Sequence, residues 1–283
     1  MKTPCILFLL LCMFMESCSI RLPEKNKWEY LFKGENLDGW ETYLGPRFDT
    51  TLNRIDTMPI GLNIDPSGVF SLVKLGNEKV LRISGECFGG ISTLKEFENF
   101  HLQLQFRWGT MKWAPRKNKN RDSGLLYFAV GPHGADGKCW MRSQEFQIQE
   151  TDCGDYWGVA GATMDIRAVK DSPGKHVYNA KGALLTFSDK NSNGRYCRKY
   201  PDSEKPMGEW NTIDLYCVGS SSVHMVNGVV NMILQNSRQH TDGKENPLTR
   251  GKIQIQSEGS EIFYRNIKIC SIDKLPENIL KNQ

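Results

Sequence analysis

His101-Leu102-Gln103-Leu104-Gln105-Phe106-Arg107-Trp108 alternates apolar and polar side chains without a break. A period of two sends successive side chains to opposite faces of an extended chain, so this stretch predicts a strand with one dry and one wet face. The same alternation returns at residues 80–84, 145–149, 212–218, 222–226, 252–256 and 261–269, between clusters of Gly, Asn, Asp and Pro. Asn227-Gly228 stands between Met225-Val226 and Val229-Val230. That is a tight-hairpin signal, because both turn residues tolerate positive φ. No helical stripe exceeds about two turns, and the chain has neither an internal repeat nor a glycine-rich phosphate loop. The expectation is an all-β fold, a sandwich of two packed antiparallel sheets.

The start of the chain reads differently. Lys2 precedes an apolar run from Cys5 to Met15, which ends at Glu16-Ser17-Cys18. A positive start and an apolar core too short to span a bilayer are the marks of a secretory signal. Cys18 after a small residue predicts lipoprotein processing, with that thiol acylated. The expected organisation is a signal peptide at 1–17, a polar tether at 18–27, a single β-sandwich domain at 28–272 and a C-terminal tail at 273–283. A β domain of roughly 200 to 250 residues is common as one unit. The expected location is exported, in the periplasm or on the outer membrane, touching the membrane only through a lipid anchor.

Composition narrows the function. A hydrophobic share of 39% and an aromatic share of 10% suit a packed core. The net charge of +4 is small and the basic residues form no stripe, which argues against nucleic acid. Of nine cysteines, three fall in the signal region; Cys87, Cys139, Cys153, Cys197, Cys217 and Cys270 remain. No C-x-x-C spacing occurs, so no zinc site is expected, and buried thiols with at most one surface bridge are predicted.

Residues 108–122, 131–142 and 151–206 read as connections too long for hairpin turns, which is where function concentrates in a compact β domain. In Ser143-Gln144-Glu145-Phe146-Gln147-Ile148-Gln149-Glu150, alternation sends Phe146 and Ile148 to the core and Glu145, Gln147 and Gln149 to the other face. A carboxylate flanked by amides suits sugar hydroxyls, since amides donate and accept while the carboxylate takes a proton. A bulge would bring Glu150 round beside Glu145. Glu-x-Gln-x-x-Glu then resembles the Glu-x-Asp-x-x-Glu strand of laminarinase-type glycosidases, with Gln147 in place of the acidic middle residue.

Around that strand, the residues expected to bind substrate are Arg107, Lys112, Trp113, Arg121, Asp122, Trp140, Gln147, Asp155 and Trp157. Trp offers a flat apolar face to pyranose C–H groups, and Arg beside Asp makes a directed clamp. Arg116, Lys117 and Lys119 are expected to be solvated. No cofactor is required by any motif, although a structural calcium ion could sit at Asp152-Cys153-Gly154-Asp155, whose spacing is not that of a known calcium loop. His133 is the histidine placed nearest the expected cleft.

Leu31-Phe32-Lys33-Gly34-Glu35-Asn36-Leu37-Asp38-Gly39-Trp40 resembles the opening of the 3-keto-disaccharide hydrolase domain family. The family's pattern continues at Asp122-Ser123-Gly124-Leu125-Leu126-Tyr127, Glu145-Phe146-Gln147-Ile148 and Gly208-Glu209-Trp210-Asn211-Thr212. Val226-Asn227-Gly228, residues 251–259 and Phe263-Tyr264-Arg265-Asn266-Ile267-Lys268-Ile269 complete it in order. The resemblance implies a concanavalin-like jelly roll acting on glycosides oxidised at C3. The ketone acidifies the C2 proton, so cleavage can run by base-assisted elimination and later hydration. Glu145 is carried over as the base, with Arg107, Lys112 or Arg121 as oxyanion stabiliser. Several relatives place His where this chain has Phe128 and Glu258. Two rival readings stand beside it: a conventional hydrolase using Glu145 and Glu150 as a catalytic pair, and a non-catalytic carbohydrate-binding lipoprotein.

Overall fold

The computed structural model describes residues 27–279 apart from positions 33, 172–174, 242 and 278. The expected signal peptide, Cys18 and all but the last residue of the tether lie outside the described residues, as does the end of the tail.

Two antiparallel sheets enclose one apolar core. In the first, of twelve strands, Phe100–Lys112 runs between Asn211–Val218 and Ser260–Ser271. The alternation quoted above is obeyed along it. Leu102, Leu104 and Phe106 are fully buried in the core, while His101, Gln103, Gln105 and Arg107 stay half-exposed on the outer face. Trp108 also packs inward, its indole Nε1 donating to Glu204 at 3.2 Å.

The second sheet has eight strands. Tyr156–Val159, Arg142–Gln149, Asp122–Val130 and Lys252–Ser257 are consecutive neighbours in it, followed by Gly89–Thr93 and Trp40–Asp49. The chain changes sheet repeatedly. Gly89–Thr93 lies in the second sheet, Phe100–Lys112 in the first and Asp122–Val130 in the second again. Near the end, Lys252–Ser257 and Ser260–Ser271 do the same across one short turn. This winding makes a jelly roll, with each sheet's inner face drying the other's. The Asn227-Gly228 hairpin forms as expected: both residues have positive φ, and Val226 pairs with Val229.

One expectation needs correction. Residues 151–206 are not a plain connection, because they contain short strands including Tyr156–Val159, Ala162–Lys170 and Tyr196–Cys197. Their short, irregular spacing hides the period of two. The expected buried thiols are seen: among the described residues all six cysteines are buried and free.

Candidate functional site

The strand Arg142–Gln149 carries the site. Phe146 and Ile148 are fully buried in the core, which turns Glu145, Gln147 and Gln149 to the opposite face, where all three line a pocket of about 190 Å³. The neighbouring strand supplies the floor: Asp122 stands opposite Gln149, Gly124 opposite Gln147 and Leu126 opposite Glu145. Trp157 pairs with Glu145 from the other side. Gln256 and Glu258 enter from the end of Lys252–Ser257 and the turn beyond it. Gly124 is the clearance that makes this crowding workable, since a Cβ there would collide with the Glu145 carboxyl and the Gln256 amide.

The pocket ends where the loop after Val130 crosses the same face. Gln254 shares that face, but its amide accepts from Met141 N at 3.0 Å and donates to Ser92 Oγ at 2.8 Å, so it serves the loop. Trp140 of that loop lines the pocket and is fixed by its Nε1 donating to the Gly89 carbonyl at 2.9 Å.

Four carboxyl groups, Asp122, Asp136, Glu145 and Glu258, line this pocket against two guanidinium groups, Arg116 and Arg195. Asp122 is 2% exposed; its Oδ2 is ion-paired with Arg116 and accepts from Gln149 Nε2 at 2.6 Å. Burial outweighs that attraction and pushes Asp122 up to about 7. Burial, then the neighbouring charge of Asp122, raises Glu145 well above the ordinary carboxylate range. The same two causes raise Glu258, which lies 3.5 Å from Arg116 Nη1. Arg195 lowers Glu145 again, though by less; it is ion-paired with Asp136 at 2.5 Å and sits 5.5 Å over the Trp157 ring.

Four buried polar atoms of the lining residues have no partner: Arg116 Nε, Asp122 Oδ1, Gln147 Oε1 and Gln256 Oε1. An unpaired buried polar atom costs about 1 to 3 kcal/mol. Four around one small pocket mark a place where a ligand supplies the missing bonds.

Glu145, Asp122, Gln147, Trp140 and Trp157 are therefore brought together, and the other expected site residues are not. Glu150 follows the strand in a turn with no intervening bulge, and both its oxygens accept from Arg121 Nη1 at 3.2 Å. The expected Glu145–Glu150 pair does not form, and neither does an Arg121–Asp122 clamp, because Arg121 turns away to Glu150 and to the Gly109 carbonyl. Arg107 lies on the outer face of the other sheet over the rings of Trp210 and Phe263. Lys112 ends its strand opposite Ser260, and Trp113 donates its Nε1 to Ser84 O at 3.0 Å; neither lines the pocket. Asp155 is fully buried and accepts from the Tyr196 hydroxyl at 2.5 Å and from Lys199 N at 2.9 Å, which spends both oxygens on the neighbouring segment around Tyr196–Cys197. That is no open calcium ligand, and among the described residues no group of three or more His, Cys, Asp or Glu is arranged to hold a metal. His133 bonds Glu41 at 3.0 Å, away from the pocket.

The residues missed are Arg116, Asp136, Arg195, Gln256 and Glu258. Gln256 had a signal, because it alternates with Ile253 and Ile255. Arg116 and Arg195 lie in loops with no period to read. Of the two positions where relatives carry His, Glu258 lines the pocket, whereas Phe128 is buried in the core at a bulge with φ 54°.

The pattern of the 3-keto-alpha-glucoside-1,2-lyase-like domain matches residues 27–270. The chain belongs to that family. Membership ties the chain to carbohydrate and agrees with the ordered motifs that run through both sheets. No curated protein matches the chain. A Parabacteroides distasonis structure, assigned only provisionally as a glycosyl hydrolase, is similar at 21% identity and a TM-score of 0.48, over 87% of this chain and 100% of its own. A second from that organism with the same provisional assignment has 16% identity and a TM-score of 0.48, over 87% and 94%. A Bacillus licheniformis beta-glucanase has 12% identity and a TM-score of 0.40, over 87% and 97%. At these scores nothing about the pocket follows from any of them.

Proposed function

We propose that the pocket cleaves the glycosidic bond of a sugar oxidised at C3, by elimination across C1 and C2. The observation that carries this reading is Asp122, whose Oδ2 is held by Arg116 and Gln149 while its Oδ1 is buried without a partner. A carboxylate with one oxygen anchored, one free and a pKa of about 7 is matched to general-base work near neutrality. Asp122 takes the C2 proton, and the C–H electron pair forms the C1–C2 double bond. The C1–O bond breaks with its electrons on the glycosidic oxygen, and that oxygen takes the proton of Glu145. Charge that builds on the C3 oxygen meets the unpartnered Nε–H of Arg116. The two protons exchange back through solvent, which restores both carboxyl groups for the next cycle.

This divides the roles differently from the expectation of Glu145 as base. Burial, then the charge of Asp122, favours the protonated form of Glu145, which suits an acid. The pocket, of about 190 Å³, is small, which suits one sugar ring at the reacting position. Export and acylation at Cys18 belong to the same proposal and rest on the sequence pattern alone.

The test compares Glu145→Gln with Glu150→Gln on a C3-oxidised glycoside. Loss of the acid should cut turnover about a hundredfold to ten-thousandfold, with sugar affinity retained. Glu150→Gln should leave turnover near the parent rate, since that carboxylate faces Arg121. Parent-like turnover in Glu145→Gln would sink the assignment. A parent protein that binds sugars and cleaves none would favour the lectin reading.

A further inference from the structure

We propose that an apolar crevice on the other side of Trp140 is a subsite for an aromatic aglycone, so that the substrate is an aryl glycoside rather than a disaccharide. The inference rests on the sugar-cleaving reading of the acidic pocket. The crevice also measures about 190 Å³, and Trp140 lines both cavities. Two loops contribute to both. One gives Pro115 to the crevice and Arg116 to the pocket; the other gives Gly137 to the crevice and Asp136 to the pocket. The two spaces are therefore neighbours across one indole, and that indole is held by Gly89 O and stacked on Phe88 at 6.1 Å.

The walls differ in chemistry from the pocket. Phe48, Ile55, Phe88 and Pro115 are apolar, Glu86 is the one lining residue with a carboxyl, and the lining thiols Cys87 and Cys139 are held protonated by burial. A second sugar ring would lose water from its hydroxyls here and find few partners, whereas a flat apolar ring loses nothing polar. Ile55 is 58% exposed at the mouth, on an edge strand, so the crevice opens to solvent and the aglycone can leave while the sugar product stays.

The experiment uses 4-nitrophenyl glucoside and a glucose disaccharide, both oxidised at C3, with the parent and Ile55→Asp. The exposed position keeps folding out of the comparison, and Phe48→Ala provides a second variant inside the crevice. The parent should show a KM about tenfold lower for the aryl substrate, as expected for burying a small ring, whatever its better leaving group adds to kcat. Each variant should lose that preference through KM and leave the disaccharide unchanged. Equal KM for both substrates in the parent, or equal loss on both in the variants, overturns the subsite. If the parent cleaves neither, the elimination reading fails by itself, and the subsite is read from binding of unoxidised 4-nitrophenyl glucoside against methyl glucoside. Tighter binding of the aryl compound that Ile55→Asp abolishes supports the subsite, and equal affinities refute it.

Discussion

The Glu145 carboxyl rests directly above Gly124, so close that a single methyl group at position 124 would occupy its place. The relationship is set by register: Gly124 pairs with Gln147, one step along the same face from Glu145. Gly124→Ala should therefore act on the site and spare the fold. The displaced atoms are the ends of flexible side chains, and replacing Gly in an extended segment commonly stabilises by roughly 0.4 to 1 kcal/mol. Turnover should fall at least about tenfold with Tm unchanged or slightly raised. A variant with parent activity would show that Glu145 can move without consequence.

The pocket carboxyls should leave a mark on stability. Asp122 rises from 3.8 to about 7 on folding, so the folded protein holds that proton more tightly than the unfolded chain. Stability from this group is then greatest at low pH, falls as pH rises from about 4 to about 7, and stays at its lower level above that. Glu145 and Glu258 are shifted in the same direction. Asp122→Asn should flatten the fall of Tm across this window and abolish turnover. In the parent, kcat/KM should climb through about pH 7 as Asp122 ionises. A Tm profile of the same slope in parent and variant would contradict the buried-carboxyl account.

Cys18 follows Ser17 at the end of the apolar run and lies outside the described residues. Full-length protein should partition into detergent, and Cys18→Ser should move it to the aqueous phase. The same partitioning in both would remove the lipid anchor.

Much of the fold was legible because one face of each strand is dry. Leu102, Leu104 and Phe106 announce their sheet, and Phe146 and Ile148 fix which way Glu145 and Gln147 must point. The site was legible only as far as that periodicity reaches. Arg116 sits in a loop, and its neighbours Lys117 and Lys119 are exposed as a basic run predicts, yet Arg116 turns inward to Asp122 and Glu258. Nothing local distinguishes it: Asp122 opens the next strand only six residues on, but no period in the loop between them says that Arg116 folds back onto it, and Glu258 arrives from a turn remote in sequence. Glu150 misled for the converse reason. It stands close to Glu145 along the chain, but the strand ends before it and Arg121 takes its carboxylate.

The central claim is that Asp122 removes the C2 proton. It is tested most directly with a C3-oxidised glycoside that carries deuterium at C2, following the sugar product by mass spectrometry in deuterium-free water. The account predicts an unsaturated product that has lost the C2 deuterium, slower turnover than with the protiated substrate, and no cleavage of the unoxidised parent glycoside. A released sugar that keeps its C2 deuterium, formed equally well from the unoxidised glycoside, would contradict it.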